Sequence, residues 1–147
     1  MKNLTRFALM CAALAVVSCS SVSPVAVNAG DQCFRCRRII LDTKIAGEMI
    51  DPSGMPSKFR STGCLTKYLA DHPKEAGALF VADYTSGKLE PVARLTFVPV
   101  IIDTNTNELD YHAFVSKADA AAAAKEAGTT PVDWNTVLQS VKTSRAS

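Results

Sequence analysis

The sequence predicts an α+β protein made of two small strand-strand-helix-strand units that follow a signal peptide. Short β-branched segments alternate with turn residues, and two helix starts are marked by serine. An internal echo supports the two units: Phe59 and Phe114 end strands, and Ser61 and Ser116 follow them two residues later. Chance recurrence is the alternative explanation. The length of 147 residues, 48% of them hydrophobic, suits one globular domain.

The N-terminal residues have the features of a secretion signal. A basic start precedes the apolar run FALMCAALAVV, which is too short to cross a bilayer of about 30 Å as a helix. The next residues, VVSC, resemble a lipobox in which Cys19 becomes the lipidated first residue of the mature protein. We therefore predict a signal peptide at 1–18 and a flexible tether at 19–30. Cleavage after Ala29, which would leave a soluble exported protein, is the alternative.

The charge of the mature chain limits its partners. Without Lys2 and Arg6, the 16 basic residues fall to 14 and equal the 14 acidic residues. A neutral chain argues against nucleic acid or an anionic bilayer face as the main partner. No later stretch is apolar for long enough to span a membrane. We expect a periplasm-facing lipoprotein that is bound to the membrane of the cell envelope through the lipid on Cys19.

The folded domain is predicted at 31–143, and its first unit at about 31–86. RRIILD, over 37–42, predicts a strand, and GEMIDPSGMPSKFRST predicts a hairpin with a Pro-Ser-Gly turn. Ser61 or Thr62 caps a helix that contains CLTKYL, with apolar side chains at helical spacing. ALFVADY predicts a strand, and TSGK predicts the turn that follows it.

The second unit is predicted at about 87–143. PVARLTFVPVIID predicts one or two strands that are interrupted at Pro99, and LDYHAFV predicts an alternating return strand. Ser116 forms a capping box with Asp119, three positions later. This capping box begins the helix KADAAAAAKEA. A final short helix is predicted to begin after Asp133.

Three cysteines remain for the folded domain: Cys33, Cys36 and Cys64. An odd number cannot pair completely within one chain, so either one thiol is free or the three share another role. Two cysteines three positions apart on a tight turn suit one soft metal ion or a redox disulfide. Cys64 lies in the first turn of its helix, where N–H groups and the helix dipole favour a thiolate. A buried structural role for Cys64 is the alternative.

Other residues extend this candidate metal site. Arg35, Arg37 and Arg38 flank the cysteine pair, and their charge favours thiolates and balances a cuprous ion on two or three of them. A solvated basic face is the alternative. His112, in a strand, could complete a Cys₃His set, although a lone histidine in a strand is more often simply packed or exposed. Met55, on a turn, is a candidate soft ligand.

Enzymatic chemistry is not predicted. Covalent c-type haem needs a histidine directly after the second cysteine, and Arg37 stands there. A thioredoxin-like enzyme would place its cysteine pair between a strand and a long helix. In this chain the predicted strand that contains RRII follows the pair instead. The sequence shows no Ser-His-Asp order, HExxH motif or phosphate loop.

The layout over about residues 31–140 resembles the nitrous oxide reductase accessory protein family, NosL. The Cys33–Cys36 pair, KFRSTGCLTKYL, ALFVADYTSGKLEPVARLTFV, HAFVSKADAAAAAKEAG and VDWNTVL carry the resemblance. The resemblance implies a bacterial exported lipoprotein that binds cuprous copper and consists of two small α+β units. Organomercurial lyase contains a unit related to these. Cys64 would correspond to the family's helix-start cysteine. The family usually continues its pair as Cys-Gly-Met, where this chain has Arg37 and Arg38, and carries Pro-Met-Gly where this chain has DTNTNEL.

The sequence therefore predicts an accessory protein that binds copper, or less favourably zinc, through its cysteines and delivers it to a recipient metalloenzyme. A thiol–disulfide partner that cycles Cys33 and Cys36 is one alternative. An interaction module without a ligand is another.

Overall fold

A computed structural model describes the chain from residue 21 to residue 146. The signal peptide at 1–18 and the lipidation of Cys19 lie outside the described residues and stay predictions. The strands are β1 Gly47–Ile50, β2 Pro56–Phe59, β3 Ala78–Ala82, β4 Leu89–Pro91, β5 Thr96–Asp103 and β6 Glu108–Phe114, and the helices are α1 Thr62–Asp71, α2 Lys117–Ala127 and α3 Trp134–Ala146. The predicted α+β class is confirmed.

Strands β1 to β4 form an antiparallel sheet in the order β2-β1-β3-β4. The predicted hairpin is its β1–β2 pair, in which Gly47 lies opposite Phe59. A Cβ atom on Gly47 would lie 3.1 Å from the Leu65 side chain. The glycine therefore lets α1 pack closely on the sheet.

Strands β5 and β6 form a second, two-stranded antiparallel sheet. The predicted interruption at Pro99 is wrong, because β5 continues through it. The N–H of Phe97 points away from β6 and donates to the Val132 carbonyl at 2.9 Å. The nitrogen of Pro99, two residues later, faces the same outer side, so the proline removes no hydrogen bond between β5 and β6.

The strand predicted at 37–42 is also wrong. Within this range only Ile39 forms a β-bridge, an isolated one to Gln32. Arg37 has φ 61°, a left-handed conformation that interrupts an extended strand. The segment is instead the return side of a tight loop.

Serine begins both helices of the internal echo, as predicted. The Ser61 hydroxyl accepts a hydrogen bond from the Cys64 N–H, and the Ser116 hydroxyl accepts one from the Asp119 N–H, each at 3.2 Å. Phe59 and Phe114, which end β2 and β6, are buried. The division into units at 31–86 and 87–143 stays a prediction.

The main core lies between the four-stranded sheet, α1, β5–β6 and α3, and residues of both predicted units contribute to it. Its buried members are Cys33, Ile40, Ala46, Met49, Phe59, Leu65, Tyr68, Leu69, Val81, Leu95, Phe97, Tyr111, Ala113 and Val137. Helix α3 begins after Asp133, as predicted, and the Asp133 carboxylate accepts a hydrogen bond from the Thr136 N–H at 2.8 Å. A smaller cluster lies beneath α2.

Part of the predicted tether contacts the domain. The Val25 N–H donates to the carboxylate of Glu48 at 2.8 Å, and Val27 packs against the main core. The Gly30 N–H donates to the Ile40 carbonyl at 2.9 Å. The tether role of 19–30 stays a prediction. Within residues 21–146, no helix has both the length and the apolarity needed to cross a membrane.

Candidate metal centre

Cys33 and Cys36 lie on a tight segment, residues 30–40, which we call the cysteine loop. The Cys33 N–H donates to the Arg38 carbonyl at 2.9 Å, and the Arg37 N–H donates to the Cys33 carbonyl at 3.0 Å. The loop is fixed to the edge of the first sheet because the Phe34 N–H donates to the Lys58 carbonyl at 2.7 Å. This bond holds the loop beside the end of β2, where α1 begins.

The three thiols that the sequence singled out come together. Cys64 is the third residue of α1, and its sulfur lies 3.9 Å from the sulfur of Cys36. The sulfurs of Cys33, Cys36 and Cys64 all lie within 4.8 Å of one another, and all three cysteines are free thiols. One end of β2 thus brings the cysteine loop and the first turn of α1 into a single site.

The three sulfurs differ in their access to solvent. Cys33 is fully buried and belongs to the main core, whereas Cys36 and Cys64 are partly exposed. The cluster therefore has one inner ligand and two ligands that face the surface. An ion bound there would be anchored to the core and still be accessible from outside.

The thiol of Cys36 ionises more readily than an ordinary cysteine does. Its partial burial raises the pKa, but hydrogen bonds from the Arg38 backbone and from the other two thiols outweigh this effect, with a further contribution from the charge of Arg60. The net pKa of Cys36 lies below its ordinary value. This surface-facing sulfur is thus better prepared than Cys64 to make the first bond to an incoming ion.

The expectation that the helix start makes Cys64 a thiolate is wrong for the metal-free protein. Burial, followed by the charges of Cys33 and Cys36, raises the pKa of Cys64 to about 12. Loss of hydration and repulsion between neighbouring sulfurs outweigh the favourable end of the helix dipole. A metal ion that binds Cys64 at neutral pH must therefore displace its proton.

Arginines flank the cysteines of the cluster in the chain. Arg35, Arg37 and Arg38 are exposed on the cysteine loop, and the charge of Arg60, just after β2, acts on Cys36. We call these four residues the arginine rim. Arg60 was not identified from the sequence, because only the fold shows that the residue after β2 lies beside the loop.

The other two candidate ligands lie elsewhere. His112 is in β6, and its ring stacks on the Tyr84 ring with a centroid distance of 4.1 Å. It does not belong to the group of ligand atoms that contains the three sulfurs. Met55 is 64% exposed on the turn between β1 and β2. Metal binding by His112 and by Met55 stays a prediction.

The donor set suits a soft metal ion. Thiolates are the ligands that cuprous copper and zinc prefer, and three cysteine sulfurs that can supply them already converge in this structure. Among the described residues, no further histidine, cysteine, aspartate or glutamate joins this group. The site thus offers three sulfurs, with the arginine rim to offset their negative charge.

The architecture is similar to that of a known protein. Superposition on the crystal structure of the copper chaperone NosL from Shewanella denitrificans gives a TM-score of 0.65 over 78% of this chain and 95% of that chain. The chain has the NosL fold. The sequence identity to that NosL is only 19%, so the likeness establishes the fold and not the chemistry. Neither the models of protein families nor the curated proteins give a match.

Proposed function

We propose that this chain binds one cuprous ion through Cys33, Cys36 and Cys64 and delivers it to another protein. The observation that carries the proposal is the convergence of three sulfurs, distant in sequence, within 4.8 Å of one another. Two of them face the surface, which suits an ion that must leave again. Binding and delivery, rather than catalysis, are the role that this arrangement supports.

The number of ligands favours copper over zinc. Structural zinc sites are almost always closed by four ligands, whereas the described residues place three sulfurs together without a fourth His, Cys, Asp or Glu. Cuprous copper is softer and accepts thiolates readily. The NosL of Shewanella denitrificans, which has the same fold, is a copper chaperone, and this supports the same cargo.

The proposal includes the cellular setting. We propose that the chain is exported, that Cys19 is lipidated, and that the domain works on the periplasmic face of a membrane, where it supplies a recipient metalloenzyme. Labelling with a radioactive fatty acid in wild type and in Cys19→Ala tests the anchor. Label that persists in Cys19→Ala contradicts lipidation at this residue.

An anaerobic titration against a cuprous chelator tests the metal site. We expect one copper per reduced chain, and we expect Cys33→Ser, Cys36→Ser and Cys64→Ser each to weaken binding. The triple serine variant should lose it. An affinity that is unchanged in the triple variant excludes the cysteines as the site.

Two further variants test the outlying candidates in the same titration. His112→Gln and Met55→Leu keep the approximate size of each side chain and remove its ligand atom. If the three sulfurs bind the ion alone, both variants retain the wild-type affinity. A clear loss in either variant adds that residue to the site.

Thiol–disulfide exchange remains a second candidate, with a different cysteine pair from the one expected. Cys36 and Cys64 are both partly exposed and their sulfurs lie 3.9 Å apart, whereas Cys33 is buried. An exchange reaction would therefore use Cys36 and Cys64. Mass spectrometry of thiols trapped in cell envelopes separates the candidates, because a stably reduced Cys36–Cys64 pair contradicts redox cycling.

A further inference from the structure

The arginine rim is a local concentration of positive charge. Beyond the signal the chain has equal numbers of basic and acidic residues, yet three arginines lie on the cysteine loop and Arg60 follows the strand that the loop contacts. Asp71 lies 3.9 Å from Arg35, and Asp31 lies 2.7 Å from Lys58. None of the salt bridges among the described residues involves Arg37, Arg38 or Arg60. The rim therefore carries charge that the domain itself does not balance.

Arg37 occupies its position at a conformational cost. Its φ of 61° lies in the left-handed region, which costs a residue other than glycine roughly 1–2 kcal/mol. The guanidinium lies over the Phe34 ring, 5.4 Å from its centroid. Strained residues that persist in a fold cluster at sites of function. The strain at Arg37 thus points to a role for this side chain at the surface.

An open cavity of about 540 Å³ lies next to the rim, lined by Phe34, Arg35, Arg37, Tyr68, Asp71 and His72. The ring of Phe34 is 40% exposed, and its edge contacts the Tyr68 ring at a centroid distance of 5.4 Å. Tyr68 in turn stacks on His72. Aromatic and arginine side chains that are already held in place are typical of the residues that dominate protein interfaces.

We propose that the arginine rim and the Phe34 cavity form a docking surface for an acidic protein, with carboxylates of the partner on the rim and an apolar side chain in the cavity. This inference rests on the proposed function, because the protein that docks here is the one that exchanges copper with the thiols. The choice of an acidic partner follows from the unbalanced positive charge of the rim.

A protein fits this surface better than a lipid bilayer does. Arg35 and Arg37 directly flank Cys36, the surface-facing thiol, so a partner bound to the rim lies beside the sulfurs. A bilayer in that place would block the site without offering a receiving ligand. A protein brings its own ligands to the cluster, and the charges steer its approach.

A peptide titration of the reduced, metal-free protein tests the surface. The probes are a short Glu-rich peptide with a central leucine and the same peptide with glutamine in place of glutamate, followed by NMR chemical shifts. We expect the Glu-rich peptide to shift Phe34 and Arg37 and to bind more weakly as salt increases. Arg37→Gln combined with Arg38→Gln should weaken binding about fivefold.

The matched control removes the same charge elsewhere. Lys117→Gln combined with Lys125→Gln, on the exposed side of α2, should bind the Glu-rich peptide as tightly as wild type does. Equal losses in both double variants, or equal binding of the two peptides, overturn the proposal. Binding to phosphatidylglycerol vesicles without a response to the Glu-rich peptide would assign the rim to lipid instead. Because no metal is present, the result is independent of whether the thiols bind copper.

Discussion

The carboxylate of Asp110 accepts a hydrogen bond from the backbone N–H of Gly63 at 2.7 Å. Asp110 is buried in β6, and Gly63 directly precedes Cys64 in the first turn of α1. A Cβ atom on Gly63 would lie 3.1 Å from the Asp110 carboxylate, so the glycine permits this close approach. The second sheet thus holds the helix start that carries one of the three sulfurs.

Replacement of Asp110 tests this support. Asp110→Ala leaves the buried Gly63 N–H without its acceptor, and we expect the free energy of unfolding to fall by about 1–3 kcal/mol. The affinity for cuprous copper should fall as well, because Cys64 is no longer held in place. Urea denaturation and chelator competition measure the two effects. Asp119→Ala, at the exposed start of α2, is the control and should leave copper affinity unchanged. Wild-type copper affinity in Asp110→Ala would contradict the positioning role.

The two serine caps form a natural matched pair. Ser61→Ala and Ser116→Ala each remove a hydroxyl that accepts a helix N–H, so each should lower stability by about 1 kcal/mol. Only Ser61 caps the N–H of a proposed metal ligand, Cys64. We therefore expect weaker copper binding in Ser61→Ala alone, measured by chelator competition at a temperature where both variants are folded. Equal copper affinities in Ser61→Ala and Ser116→Ala would show that the Ser61 cap does not influence the metal site.

The raised pKa of Cys64 predicts alkaline instability of the metal-free protein. The folded state favours the protonated thiol, so its contribution to stability is complete below the ordinary pKa of 9.0 and is lost as pH rises towards about 12. Stability measured by urea denaturation should therefore fall over this range. Cys64→Ala should fall less steeply with pH.

A control is needed for this pH dependence because a second group titrates in the same direction. The hydrogen bond to Glu75 and, secondly, burial raise the pKa of Tyr68 to about 12. Tyr68→Phe removes this group and leaves the thiols in place, so it should retain the part of the slope that belongs to Cys64. Identical pH profiles for wild type and Cys64→Ala would show that Cys64 is not the cause.

Glu48 predicts a second pH effect. Its side chain is fully buried in the first sheet, where Oε2 accepts from Val25 and Oε1 has no partner. Burial raises the pKa of this carboxyl, so the charged form destabilises the fold above the ordinary pKa of 4.5. We expect Glu48→Gln to be more stable than wild type at pH 7 and the difference to disappear at about pH 4.5. Glu126→Gln, on the exposed side of α2, should by contrast show no such change.

Arg37 predicts a trade-off between stability and docking. Arg37→Gly relieves the left-handed strain, so the free energy of unfolding should rise by roughly 1 kcal/mol. The same change should weaken binding of the Glu-rich peptide. Arg38→Gly is the control, since Arg38 has no positive φ and its replacement should not stabilise the fold. Arg37→Gly without any stabilisation would show that the surrounding loop already accommodates the conformation.

Local signals in the sequence predicted much of the fold. The Pro-Ser-Gly turn, the serine starts of α1 and α2 and the Asp133 start of α3 are all set by neighbouring residues. The prediction of a strand at 37–42 was wrong because β-branched residues favour strands only where the backbone is extended. The backbone of Arg37 is left-handed instead. The prediction of a break at Pro99 was wrong because a proline interrupts a strand pair only if its nitrogen faces the partner strand. That direction depends on how β5 pairs with β6.

The metal site was predictable in its residues but not in its geometry. Cysteine spacing predicted Cys33 and Cys36, and the helix start singled out Cys64. Their convergence depends on the contact between β2 and the cysteine loop. This contact brings together Cys36 and Cys64, which are 28 residues apart in the chain. The protonation of Cys64 depends on burial, which no short motif reports.

The hydrogen bond between Val25 and Glu48 limits how far an anchored molecule could extend. If Cys19 carries lipid, this fixed point lies six positions along the chain from the lipidated residue, a reach of at most about 20 Å. The domain would then rest almost directly on the headgroups instead of swinging freely through the envelope. A recipient protein would then have to come within one domain's height of the membrane surface to meet the thiols.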